Sequence, residues 1–162
     1  MKHTNLKYKI EYGNKPFEYF KKSFPNEKIT DFEDDMLFIT CSLYDTYIGI
    51  ARLVCNFSQH FKSQNNIFLN NFLIDYNLLK YDIYFLTGIF VDKEYRHNGI
   101  GTMLIKERLK LIPYNSFIYT DVLKSNYLYN YYLKNIPLKK IFEDKNTFFL
   151  FCSQNKDNNE LF

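Results

Sequence analysis

The sequence predicts an α+β fold built on a mixed sheet, and three observations predict it. Two β-rich runs early in the chain straddle a short polar turn, the pattern of an antiparallel hairpin. From residue 81 onward, strand-like and helix-like segments alternate, so the later strands cannot all be hairpin neighbours of the early ones. The chain's 162 residues suit one domain, 1–152, followed by a polar tail at 153–162. A globule of that size buries roughly 70% of the surface its unfolded chain exposes, enough for a proper core.

Residues 6–12 alternate loosely (Leu6, Tyr8, Ile10, Tyr12) and read as a first strand, stopped by Gly13-Asn14. Residues 16–24 read as a short helix, with Pro16 at a tolerated early position and Phe17, Phe20 and Phe24 on one face. Pro25-Asn26 breaks it. Runs 36–44 and 47–57 form the hairpin across Asp45-Thr46, and Gly49 and Ala51 leave room on one face of its second strand. Across 58–80 the pattern weakens: Ser63 to Asn66 reads as a loop, Asn70-Asn71 interrupts the apolar residues, and no element is assigned.

Residues 81–91, apolar with β-branched and aromatic side chains, read as a central strand. A polar stretch, 92–98, leads into a helix at 99–112, where Met103, Leu104, Glu107, Arg108 and Leu111 recur at helical spacing before Pro113. A strand at 117–123 and a helix at 125–136 come next, stopped by Pro137. Strands 138–142 and 147–152 close the fold around Asp144-Lys145-Asn146.

Composition narrows the function. There are 15 Tyr, 17 Phe and no Trp, while Asn, Ile and Lys are abundant. An AT-rich coding sequence produces such a bias, so an individual Tyr or Asn carries no functional weight by default. The net charge of +3 lacks the concentrated basic footprint of a nucleic-acid binder, and no nucleic-acid partner is expected. Cys41, Cys55 and Cys152 sit in apolar runs, odd in number and widely spaced, which favours buried, reduced thiols in a cytosol. His3, His60 and His97 show no ligand spacing, so no metal is expected. Neither a signal-peptide pattern nor an 18-residue apolar stretch is present, which points to a cytoplasmic protein with no membrane partner.

The chemistry concentrates between Leu86 and Leu104. A buried strand runs into a short basic turn, and Gly99-Ile100-Gly101 opens a helix. Backbone N–H groups at a helix N-terminus lack intrahelical partners and carry the positive end of the dipole. Glycines there remove the Cβ atoms that would hold a phosphate away, so the segment can cradle an anion. Chance at average Gly usage yields fewer than about 0.1 Arg-x-x-Gly-x-Gly strings in such a chain. A Rossmann fingerprint is incomplete, because Leu104 holds the third glycine slot, and no Gly-Lys-Ser/Thr of a Walker loop occurs.

This segment resembles the cofactor loop of the GNAT acyltransferases, in which a strand ending in Val meets a Pro-Glu-Tyr-Arg turn and then Gly-x-Gly-x-x-Leu. Val91, Glu94-Tyr95-Arg96, Gly99-Ile100-Gly101 and Leu104 stand here in that order, with Lys93 where Pro is usual. The resemblance implies a mixed, mostly antiparallel central sheet flanked by helices on both faces. It implies acetyl-CoA as co-substrate, no metal, and N-acetyl transfer by direct attack of an amine from a small molecule or a peptide. It assigns cofactor binding to Ile89, Phe90 and Val91, through backbone of a central strand splayed from its neighbour, and to Arg96, His97, Asn98, Gly99, Ile100, Gly101 and Thr102. A homodimer is among the assemblies it allows.

Family members continue with a strand, an Asn, and a helix bearing an aromatic-Tyr pair whose Tyr is often the general acid. Aligning Tyr131-Tyr132 with that pair gives the role to Tyr132, puts Ser125 in the Asn slot with Asn126 one residue late, and places Ile136-Pro137 where Gly-Phe is usual. Tyr131 or Tyr129 would serve in a shifted register. Asp82 and Asp121 are candidate general bases, although either reads more simply as a solvated strand-end carboxylate. Two other readings stand beside the enzyme: a degenerate GNAT module that binds CoA without turnover, and a small RNA- or protein-binding domain whose Gly-x-Gly is only a turn.

Overall fold

The structure is a computed structural model and describes residues 5–26, 36–55 and 67–153. In chain order the elements are β1 (Leu6–Glu11), α1 (Asn14–Ser23), β2 (Met36–Leu43), β3 (Thr46–Val54), α2 (Ile67–Asp75), β4 (Ile83–Val91), a 3₁₀ turn (Lys93–Tyr95), α3 (Ile100–Leu109), β5 (Phe117–Leu123), α4 (Leu128–Asn135), β6 (Lys139–Glu143) and β7 (Thr147–Ser153). The strands form one sheet in the order β1-β2-β3-β4-β5-β7-β6. β4 and β5 pair in parallel, while β1–β2, β2–β3, β5–β7 and β6–β7 pair antiparallel. The sheet is therefore mixed and mostly antiparallel, as expected. The chain divides into two compact units, Met1–Val54 with Thr87–Leu111, and Cys55–Leu86 with Ile112–Phe162.

In the first unit, Tyr44 and Asp45 take φ of 49° and 63°, and this pair of left-handed residues closes the β2–β3 hairpin. Two left-handed central residues match the twist of the flanking strands. The turn thus lies one residue earlier than the sequence suggested. α1 begins at Asn14, so Pro16 occupies its third position, and Phe17 and Phe20 are buried three residues apart on one face. The Phe20 ring lies 5.6 Å from Phe38 and 4.6 Å from Phe24.

Gly49 lets α3 approach β3: a Cβ there would stand 3.3 Å from Ile100 Cγ2 and Leu104 Cδ1. Arg52, three residues on and so facing the other way, sits 4.6 Å from the Phe20 ring. Helices α1 and α3 accordingly cover opposite faces of β3.

In the second unit, β5 pairs along its whole length with β7, from Phe117 opposite Ser153 to Leu123 opposite Thr147. Its parallel ladder with β4 joins Ile83–Phe85 to Phe117–Tyr119. Phe117 stacks on Phe151 at 5.4 Å, and Phe72 of α2 meets Phe151 at 5.2 Å. α2 lies in the stretch where the sequence pattern assigned no element. It buries Leu69 and Leu73, one turn apart, and exposes Asn70 and Asn71, whose polarity masked the period. The Asp144 carboxylate accepts the N–H groups of Asn146 and Thr147 at 2.8 and 2.7 Å, fixing the β6–β7 turn where it was expected.

The expected loop at Ser63 to Asn66, His3, His60 and residues 154–162 of the tail lie outside the described residues. Among the described residues no three His, Cys, Asp or Glu side chains gather as metal ligands, and no helix is long and apolar enough to cross a membrane.

Candidate cofactor site

The loop that the sequence singled out is built from the end of β4. The Asp92 N–H donates to the Ile48 carbonyl at 2.9 Å, which ties the strand's last step to β3. The Asp92 carbonyl accepts the Tyr95 N–H at 2.9 Å and closes the 3₁₀ turn. Arg96 folds back: its Nε donates to the Val91 carbonyl at 2.8 Å, and its guanidinium lies 5.8 Å from the Phe90 ring centre. The Arg96 side chain therefore braces the loop against the strand. The Asn98 amide donates to the carbonyls of Tyr95 and Arg96 at 3.3 and 3.1 Å, tightening the same turn.

His97 and Gly99 are left-handed, with φ of 62° and 77°. Turns with left-handed residues make successive N–H groups converge, the geometry of an anion-binding concavity. α3 starts directly after Gly99, whose carbonyl accepts the Met103 N–H at 3.0 Å. The N–H groups of Ile100, Gly101 and Thr102 precede the first intrahelical bonds, and no side chain caps them. No acidic residue occupies the first turn, so the positive end of the helix dipole is not neutralised from within the helix. Buried Ile100 and Leu104 anchor this turn against β3, while Arg96 to Gly99 are exposed.

The two glycines serve different ends. Gly99 is needed for its backbone angle, since a Cβ there would meet nothing within 4 Å. Gly101 has no left-handed angle, and a Cβ there would make only an ordinary contact, 3.9 Å from Val91 Cγ2. A pyrophosphate fits this cradle: three uncapped N–H donors, a dipole of the right sign and an open Cβ position.

The other candidates are dispersed. Tyr132 belongs to the second unit, on α4, and is 3% exposed. Tyr131 meets it edge to face at 6.2 Å, and Tyr129 stacks on Phe148 at 4.1 Å. α4 begins at Leu128, later than residue 125, because the Asn126 side chain accepts the Leu128 N–H at 3.0 Å and organises the entry. Asp82 and Asp121 are both exposed, as solvated strand carboxylates would be. Cys41 and Cys152 are buried and Cys55 half-buried, none of them in a disulfide; burial pushes Cys152 up to about 12 and raises Cys41 as well.

Two further residues to which the sequence assigned no functional role stand out: Gly88, which has φ of 53° inside β4, and Arg108, placed by its spacing on the α3 stripe and fully buried. An isolated Gly in a strand run is a signal for a bulge, and Arg108 stands one turn from buried Leu104.

No curated protein matches the chain in sequence. Solved structures do match in fold. Arabidopsis thaliana NAA60, solved with acetyl-CoA, superposes with a TM-score of 0.61 at 13% identity, over 91% of this chain and 97% of that one. Escherichia coli ElaA gives 0.57 at 12% identity over 90% and 98%. The ribosomal-protein-S18-alanine N-acetyltransferase of Escherichia coli gives 0.57 at 9% identity over 92% and 95%. The sequence profile of the acetyltransferase (GNAT) family matches residues 6–134, and the chain belongs to that family.

Proposed function

We propose that the protein is a cytoplasmic, acetyl-CoA-dependent N-acetyltransferase acting on an amine of a small molecule or a peptide. The observation that carries this reading is the loop from Arg96 to Thr102. Its uncapped N–H groups and its sterically unclaimed Gly101 suit a pyrophosphate. Family membership and the fold shared with an acetyl-CoA complex support the choice of ligand.

Acetyl-CoA supplies an acyl group activated as a thioester. In this reading the backbone of Ile89, Phe90 and Val91 orients the pantetheine arm, and the loop N–H groups hold the diphosphate. The amine attacks the carbonyl carbon directly; the N–C bond forms, the C–S bond breaks, and the amine proton leaves to a base. Tyr132 is assigned the proton donated to the departing sulfur, a role carried by the family pattern.

Saturation with acetyl-CoA at 100 times its dissociation constant stabilises the fold by about 2.7 kcal/mol. For a chain of this size that raises Tm by about 5–11 °C. An unchanged Tm at millimolar acetyl-CoA refutes the reading. One observation favours a second reading, CoA binding without turnover: Tyr132 is almost wholly buried. Screening free-thiol release against amines, peptides, polyamines and aminoglycosides separates the two, because the second predicts binding with no release above background.

A further inference from the structure

The middle of β4 is gripped from both faces by arginines. Arg108, fully buried on α3, donates from one terminal nitrogen to the Thr87 carbonyl at 3.1 Å and to the Arg52 carbonyl of β3 at 2.9 Å. Arg52, 7% exposed, donates to the Thr87 hydroxyl at 3.3 Å, and its guanidinium lies over the buried Phe20 ring. The next residue, Gly88, is left-handed, and a Cβ there would stand 2.4–2.5 Å from that same ring. A left-handed glycine inside a strand bends the backbone and re-aims the residues beyond it. Here those residues are Ile89 to Val91, the last three of β4.

We propose that Arg108 and Arg52 are positioning residues. They fix the bend at Thr87-Gly88 and so set the direction of the Ile89–Val91 backbone for the acyl donor. This rests on the cofactor reading above. Burying guanidinium groups is costly, and well-packed apolar residues in their place are often neutral or stabilising. Stability alone therefore gives weak reason to place two arginines here. Geometry gives a better one, since a misplacement near 1 Å at a reacting group can cost about 10²-fold.

The test compares Arg108→Met, Arg108→Lys and Thr87→Val with the wild type. The readouts are Tm, calorimetric acetyl-CoA affinity, and hydrogen exchange of the 87–91 segment without ligand. Arg108→Met is expected to keep its Tm within a few degrees, lose at least about tenfold in affinity, and exchange faster at 87–91 than in β2. Arg108→Lys, which can still donate to one carbonyl, should recover part of the affinity. Thr87→Val removes only Arg52's hold and should lose about threefold or more; it decides the matter if Arg108→Met fails to fold. Folded variants that bind acetyl-CoA within twofold of wild type and exchange normally at 87–91 overturn the proposal. Should the wild type itself not bind acetyl-CoA, the cofactor reading falls, and the exchange comparison still decides whether the arginines hold the strand.

Discussion

A methyl group at Gly101 would stand 3.9 Å from Val91 Cγ2 and meet nothing else within 4 Å beyond its own helix backbone. The fold leaves this position free, so a requirement for glycine there comes from something outside the chain. Glycine is also the weaker helix former: Val in its place costs no more in propensity and can gain a few tenths of a kcal/mol.

Gly101→Val is therefore expected to melt at or slightly above the wild-type temperature while losing at least about tenfold in acetyl-CoA affinity, which is about 1.4 kcal/mol. Calorimetry and thermal melting on the same sample check both halves. Wild-type affinity in this variant would mean that the diphosphate binds elsewhere.

Gly88 behaves in the opposite way. Its φ of 53° disfavours any side chain, and the Phe20 ring end lies 2.4–2.5 Å from the Cβ position. That ring cannot swing aside easily, packed as it is against Phe24, Phe38 and Arg52. Gly88→Ala should cost about 2–5 kcal/mol in urea denaturation. Part of that cost should vanish in a Phe20→Leu background, where a double-mutant cycle should return a coupling of about 0.5–3 kcal/mol. Additive penalties would show that Phe20 is not what Gly88 accommodates.

The contrast between these glycines marks what the sequence could tell. The strand-to-helix junction after β4 was legible because its pattern is local: Val91, Arg96, Gly99 and Gly101 lie within eleven consecutive residues. Strand 117–123 was legible to the residue, since its apolar run is bounded by Pro113-Tyr114-Asn115 and Lys124-Ser125-Asn126. Helix α2 was not, because Asn70 and Asn71 face solvent while Leu69 and Leu73 alone are buried. Arg108 stood on the buried stripe of its helix, but the partners that make its burial tolerable are 56 and 21 residues away in sequence. Helical spacing placed Arg108 with Leu104 and Leu111, but the groups that receive its N–H donors come together only in the fold.

Cys152 gives the stability a pH dependence of known sign. Burial pushes its thiol up to about 12, against an ordinary 9.0. Between those values the unfolded chain loses the proton and the folded one keeps it, so stability is intact below pH 9 and falls as pH rises toward 12. The difference is on the order of 3–4 kcal/mol across the whole window. At about pH 8, Cys152→Ala should be less stable than wild type through lost packing. By about pH 10.5 that gap should narrow or reverse, because the variant has no thiol to ionise. Equal gaps in urea denaturation at the two pH values would show that the thiol's burial does not perturb its ionisation.

Tyr132→Phe tests the chemistry itself. The change removes one hydroxyl from a side chain 3% exposed and keeps the ring. Packing should survive at a cost of no more than about 1.5 kcal/mol. A general acid contributes about 10²- to 10⁴-fold, so kcat should fall by that order while acetyl-CoA affinity stays within a factor of about two. Cys41 and Cys152 replaced by Ala should lose stability yet keep turnover per folded molecule, because burial raises the pKa of both thiols and a buried, protonated thiol is a poor nucleophile. The measurement needs an acceptor from the thiol-release screen. Normal turnover in Tyr132→Phe, with failure in Tyr129→Phe or Tyr131→Phe, moves the acid along α4 and corrects the register. Silence in all three means that the departing thiolate takes its proton from water, and then Tyr132 is a core residue of the second unit and nothing more.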